Sequence, residues 1–295
     1  MGTAVAFLNE EGFTVPNPYR DERGRALVTV TGARGSLRED LRRLIGGLGG
    51  LGRRFRPEDS ILLKPNINSH HPSPAAVDPE FLAAFIDLLQ HEGYTRLAVA
   101  ESSGRHWAPT ERVVRDKEGL LPALEERGVP FLCLDDMEWE EVETGGQYLP
   151  RVHLPQVLGE YDRLIFLPNL KTHGDAGFTV ALKLAMGFTP LCDRELFHRT
   201  SVAGAVVDLA RVLTPDLVVV DGRKAFIAGG PTFGTVTEPG VLIASGDAVA
   251  CDTEAARILI KWGAAAHLGT SDPHQTELIL RAQDLDRPES SVLHV

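Results

Sequence analysis

Cysteine is scarce in this chain. Cys133, Cys192 and Cys251 lie far apart, which excludes a disulfide framework, a paired zinc cassette and a ferredoxin-type cluster motif. Long apolar runs are missing too, so no segment reads as a membrane span. The opening "MGTAVAFLNEEGF" has no basic region before its apolar residues and meets acidic ones early, unlike a signal peptide, and its sixth residue does not suit myristoylation. There is no GxGxxG after the first strand-like run, no P-loop, no HExxH and no nucleophile elbow around Ser102 and Ser103. These absences disfavour a nicotinamide-binding domain, a P-loop NTPase, a zincin and a serine hydrolase. Positive charge is in deficit: the net charge of −11 argues against nucleic acid or an anionic membrane as partner. The cytoplasm is the default compartment. Lysine is the least expected shortage, with six among 30 basic residues, at 64, 117, 171, 183, 224 and 261.

That shortage directs attention to the lysines that remain. On a solvated face either cation serves, but only Lys offers a compact amine that can lose its proton. Lys64 follows "SILL", Lys171 follows "LIFLPNL" and Lys183 sits within "FTVALKLAMGF", so all three adjoin apolar runs. Snorkelling stems would be the ordinary explanation for any one of them.

What is present is an ordinary globular composition, 43% hydrophobic and 24% charged, with enough length for a sizeable core. Strand-like runs alternate with helical patterns. "RALVTVTG" precedes "SLREDLRRLIGGL", where Ser36 and Glu39 form a capping box. "SILLKPN" precedes a helix capped by Asp78, with Pro79 in its first turn and Phe81, Leu82, Phe85, Leu88 and Leu89 as its apolar stripe. "RLAVAES" leads into a helical segment expected to bend at Pro122, then "VPFLCL". "DRLIFLPN", "DLVVVDG" and "GVLIASG" read as further strands, and "AVACDTEAARILIKWG" as a helix with Asp247 and Asp252 as cap and first-turn residues. The pattern predicts a single α/β domain, Rossmann-like, with a mostly parallel sheet covered by helices on both faces. The acidic segment 135–152 is expected to form a hairpin or flap.

In such sheets ligands bind beyond the carboxyl ends of the strands. Polar clusters stand at those ends: "KPN", "ESS", "PNLKTH" and "DG". Lys64, Asn66, Asn169, Lys171 and Asp221 are therefore expected to bind substrate or cofactor. His106 and His173 are candidate proton carriers, and Lys183 a candidate nucleophile or Schiff-base donor if its apolar neighbours disfavour its charge. Thr179 and Lys183, read as i and i+4 on one helix, would share a face, with His198 near the start of the next helix. His70 and His71 could bind a metal as a pair but are expected to face solvent, and the glycines of "GGPTFG" either let backbone amides approach an anion or form a turn.

The ordered series "ILLKPN", "LPNLKTHGDAGFTVALKLAMGF", "FH", "VVVDG", "GGPTFG" and "ASGDAVACDTEAARIL" resembles the domain of unknown function 362 family over residues 60–260. Many members of that family carry ferredoxin-type cysteine clusters beside this domain; this chain has no such cysteine motif, so it looks like the stand-alone version without an iron–sulfur cluster. The spacing of His106, then His173 with nine residues between it and Lys183, then His198 also resembles the N-terminal domain of the lactate racemase family. That resemblance implies His106 and His173 as an acid/base pair, Lys183 as the attachment point of a nickel-pincer cofactor and His198 as the metal ligand. Departures are "TVAL" in place of glycines before the lysine, "KPN" in place of a phosphate-contacting "TRP", and no room for that family's C-terminal domain. From the residues themselves the cofactor is unknown, a divalent metal of nickel or another type being one option. Two functional readings stand: an enzyme acting on a small anionic molecule by proton or hydride transfer, or a non-catalytic carrier or docking partner of redox proteins. A homo-oligomer is compatible with both. A structural charge network that mimics a site is the third.

Overall fold

The computed structural model describes residues 17–104, 106, 107, 109–285 and 288–295. The N-terminal stretch read above for targeting signals lies outside them. One sheet organises the chain. Its strands are β1 (Ala26–Gly32), β2 (Ile61–Pro65), β3 (Leu97–Glu101), β4 (Phe131–Cys133), then, beyond a separate hairpin of β5 (Trp139–Glu143) and β6 (Arg151–Pro155), β7 (Arg163–Leu167), β8 (Asn169–His173), β9 (Gly177–Thr179), β10 (Leu217–Gly229), β11 (Gly234–Thr237), β12 (Val241–Ser245) and β13 (Ser290–His294). The order is β13-β1-β12-β10-β7-β2-β3-β4. The stretch from β10 to β4 is parallel throughout, whereas β12 runs antiparallel to both β1 and β10.

Why the central strands read as unbroken apolar runs is visible in the packing. Alternate residues point to opposite faces, and both faces are covered. Ile61, Leu63, Val99, Ile165, Leu167 and Val219 pack in one cluster with Leu41, Leu44 and Ile45 of α1 (Leu37–Gly47) and Phe81, Leu82 and Phe85 of α2 (Pro79–His91). Leu62, Ala98, Ala100, Leu164, Phe166, Val218 and Val220 pack in the other, beyond the sheet. Each large side chain so removed from water contributes about 1.5–3 kcal/mol. The helix signals hold: the Ser36 hydroxyl accepts from the Glu39 amide, the Asp78 carboxylate accepts from the Glu80 amide, and the whole predicted stripe of α2 is buried.

The helical segment after β3 breaks elsewhere than expected. It forms α3 (Thr110–Asp116) and α4 (Leu120–Glu125), and the interruption falls at Gly119, whose φ of 78° is left-handed, while Pro122 sits in the first turn of α4. A proline there costs no intrahelical hydrogen bond; a left-handed glycine ends a helix. The remaining α-helices among the described residues are α5 (Ala181–Leu184), α6 (Leu191–Arg199), α7 (Val202–Leu209), α8 (Ala248–Leu259), α9 (Ala265–Leu268) and α10 (Glu277–Ala282). Segment 135–152 does supply a hairpin strand, with Glu140, Glu141 and Glu143 facing water and Val142 buried. It is moored rather than free: the Asp208 carboxylate accepts from the Tyr148 and Leu149 amides, and the Asp193 carboxylate from the His153 amide.

Candidate functional site

The parallel strands end in polar residues, and the first two of these pair. Lys64 at the end of β2 is fully buried, and its Nζ lies 2.5 Å from Glu101 Oε1 at the end of β3. The Glu101 carboxylate also accepts from the amides of Ser102 and Ile67. Burial pulls Lys64 below the ordinary lysine range, and Glu101 opposes that pull. Gly187 lies against the pair: a Cβ there would come 2.5 Å from both Glu101 Oε1 and Lys64 Nζ. Only glycine admits this approach.

The second group stands on β8 and β9. Lys171 and His173 are two residues apart on one face of β8, and Thr179 is the cross-strand partner of Lys171. Thr179 thus ends a strand. Its nearness to Lys183 comes from the β9–α5 turn, not from a shared helix face as the i, i+4 spacing predicted. Lys171, 2% exposed, donates to the carbonyls of Ala75 (2.5 Å) and Pro231 (3.1 Å). It joins the loop after β2 to the "GGPTFG" turn, and burial holds it well below the usual lysine range, reinforced by Lys183 and opposed by Glu101. His173 Nδ1 accepts from the amides of Asp175 and Ala176, which assigns its proton to Nε2. Burial, with Lys183 and Lys171 nearby, lowers it to about 2. His173 is therefore a neutral hydrogen-bond donor, a constraint on the proton-accepting role read from sequence.

Lys183 sits on α5, a helix too short to hold itself. Asp252, on the first turns of α8, supplies the support: its fully buried carboxyl accepts from the amides of Ala181 and Leu182. Asp247 is the cap of α8, as predicted, whereas Asp252 serves the neighbouring helix rather than its own. Burial lowers Lys183 to about 8, with Asp175 opposing and Arg194 reinforcing. α6 contributes Arg194 and His198, the latter in its last turn rather than near its start. His198 Nδ1 stands 3.4 Å from Asp175 Oδ2. Arg194 is 5% exposed; its Nε donates to the Thr189 carbonyl and Nη1 to the Ser103 carbonyl, while Nη2 is buried with no protein acceptor.

These side chains line one cavity of about 280 Å³ at the carboxyl ends of the parallel strands. Lys64, Asn66, Lys171, His173, Thr179 and Lys183 border it from the sheet side; Arg194 and His198 border it from α6; exposed His106 stands at its edge beside Trp107. Two predicted binding residues stay outside its lining. Asn169 is buried behind Asn66, whose amide nitrogen donates to it at 3.0 Å, and Asp221 is taken by Arg223, which also reaches Asp78. A carboxylate with a guanidinium two residues along its own strand is satisfied locally. No residue of the 135–152 hairpin borders the cavity among the described residues. His70 faces solvent, as expected, while His71 is half-buried; the two rings stack at 4.6 Å and both meet the Trp107 ring edge-on, because three adjacent rings bury more area together than apart in water.

Sequence reading missed Glu101, Trp107, Asp175, Gly187 and Arg194. Arg194 was hidden by abundance, since nearly every cation in the chain is an arginine. Glu101 was legible as a strand-end residue in "ESS" and was set aside with the serines beside it.

The family model for the domain of unknown function (DUF362) matches residues 61–257. The chain belongs to that family. Within this DUF362 domain fall all the cavity residues named above. The chain is 30% identical over 226 residues to the thylakoid-associated protein sll1697 of Synechocystis sp., covering 74% of this chain and 68% of that one. A lactate racemase apoprotein from Thermoanaerobacterium thermosaccharolyticum superposes on 80% of the chain with a TM-score of 0.39 and 12% identity. The chain spans 57% of that racemase's length, and the likeness stops at the general α/β outline. Among the described residues no group of three or more His, Cys, Asp or Glu is placed to hold a metal ion. Among the same residues no helix is long and apolar enough to cross a membrane.

Proposed function

We propose that the cavity binds a small anionic molecule and moves a proton on it. The observation that carries this reading is the convergence of Arg194, Lys171 and Lys183 on one cavity that supplies none of them a carboxylate. Among the described residues none of the three has a carboxylate within ion-pair distance, and Arg194 Nη2 lacks any acceptor. A permanently charged, desolvated donor left open costs stability unless a ligand completes it. A carboxylate or phosphate oxygen matches it best. In this reading Arg194 anchors the anion, and the Nε2–H of His173 donates to oxygen that gains negative charge during reaction. Lys183, lowered to about 8, exchanges the proton near neutral pH. His106 and His198 serve at the edge of the site. A resident metal or tethered cofactor forms no step of it. We place the protein in the cytoplasm on its three free cysteines, although the Synechocystis relative carries a thylakoid association in its name.

Calorimetric titration with phosphate, glycolate and glyoxylate tests the binding. Arg194→Met should weaken the bound anion by about ten- to hundredfold, the worth of a charged hydrogen bond, and Lys183→Met should abolish exchange of the methyl C–H of pyruvate, which lies beside a carbonyl, with deuterated water. Equal affinity in the Arg194 variant would remove the reading. Binding without exchange would favour the non-catalytic carrier.

A further inference from the structure

The cavity holds three lysines, and their surroundings differ in a way that separates their chemistry. Lys64 is matched by Glu101. Lys183 is half-buried, with Asp175 supporting its charge. Lys171 is buried, borders the cavity, and has two backbone carbonyls as its acceptors. An ammonium carries three N–H groups, whereas a neutral amine carries two N–H groups and one lone pair. Two carbonyls match the neutral amine completely. Cε and the two hydrogen bonds occupy three tetrahedral directions at Nζ, and the fourth is left for the cavity. The cationic neighbours Lys183 and Lys117 act in the same sense, since each disfavours a further positive charge.

We propose that Lys171 is an amine nucleophile that forms an imine with a carbonyl-bearing anion, a small 2-oxo acid in chemical class. The inference rests on the anion-binding reading above and names the substrate class of that site. The Nζ lone pair attacks the carbonyl carbon, a C–N bond forms, and the C–O π bond breaks toward oxygen. That oxygen takes a proton, the carbinolamine then loses water, and one imine and one water replace one amine and one carbonyl. No oxidant or reductant enters. Lys183, on the same cavity, is the acid that supplies the departing oxygen's proton. The protonated imine draws electrons from the adjacent carbon, which is what proton removal beside a carbonyl requires. In the free protein the Nζ hydrogens tie the loop after β2 to the turn after β10; one of them leaves with the water, so the protonated imine keeps one of these two hydrogen bonds.

The test incubates the full chain with glyoxylate and sodium cyanoborohydride, which reduces an imine to a stable amine, and locates the added mass by peptide mass spectrometry. Glycolate, of similar size and charge but without a carbonyl, is the control. Modification should concentrate at Lys171, exceeding that at exposed Lys224 by roughly tenfold or more, because each unit by which an amine's pKa falls raises its neutral fraction about tenfold at neutral pH. It should be absent with glycolate and suppressed by excess phosphate. Lys183→Arg, which has no transferable proton near neutral pH, should slow modification at Lys171 without moving it to another lysine; Lys224→Met should leave it unchanged, and Lys171→Met should lose it. The wild-type map needs no variant to fold. Modification at Lys183, or spread over surface lysines alone, overturns the proposal. So does glyoxylate that binds by calorimetry without any modification, an outcome that leaves the anion-binding reading standing. Failure of phosphate, glycolate and glyoxylate alike to bind removes both.

Discussion

The two ends of the parallel strands handle charge differently. At their amino ends each buried or half-buried ion has a partner. Arg54 meets Asp216 at 2.5 Å, Arg163 meets Asp59 at 2.8 Å, and the Asp162 carboxylate accepts from both the amide and the hydroxyl of Ser60. At the carboxyl ends Lys64 and Glu101 pair in the same way, but Lys171, Lys183 and Arg194 bring charges or donors that no carboxylate matches. Charge that is matched within the chain stabilises a fold. Charge left over marks a place where something else completes it. That contrast, in a protein of net charge −11, singles out the cavity more sharply than any one residue does.

Four measurements break or sharpen the contrast. The largest effect should come from the matched pair inside the cavity. Glu101→Ala leaves Lys64 buried without its counterion and should cost about 3–5 kcal/mol in urea unfolding; a loss under 1 kcal/mol would mean that Lys64 is neutral beside it. Next is Asp252, pushed up to about 7 by burial. A carboxyl whose folded value exceeds its unfolded one stabilises the fold fully only below the unfolded value, and that contribution declines as pH rises from about 4 through 7. Wild type should therefore lose roughly 2–3 kcal/mol between pH 5 and pH 8 relative to Asp252→Asn, and a gap that does not change with pH would show that Asp252 titrates normally.

At the opposite end, Asp216→Ala removes the partner of Arg54 and of the Leu164 amide, so it should cost about 2 kcal/mol while leaving glyoxylate binding unchanged. Weakened binding in that variant would erase the distinction between the two ends. Smallest is Arg194→Met. Its removal gives up two hydrogen bonds to backbone carbonyls but also one buried donor without an acceptor, so it should cost about 1 kcal/mol, and in the same preparation anion affinity should fall. Unfolding and titration on one sample separate the two effects.

Much of the fold was legible. The alternation of apolar runs with capped amphipathic segments marked the α/β class and the covered sheet, because burial on two faces leaves a continuous apolar signature. It did not mark the direction of β12, since antiparallel and parallel strands buried on both faces read alike. The lysine shortage pointed to Lys64, Lys171 and Lys183, and all three border one cavity with His106, His173 and His198. Thr179 was placed correctly for the wrong local reason, as a cross-strand neighbour of Lys171 and not a helix neighbour of Lys183. Asn169 and Asp221 stood at strand ends as predicted and yet turn to partners outside the cavity lining.

Sequence alone determined the α/β class, the principal strands and capped helices, and the polar residues that end those strands. Local propensity and period carry that information within a few residues of each position. Only tertiary structure decided which cation is matched and which is not. Lys64 and Glu101 are 37 residues apart, Lys171 and Ala75 are 96, and Lys183 depends on Asp252 across a helix pair. A lysine's chemistry is set by what faces its nitrogen, and those groups come from segments that meet only when the sheet has formed.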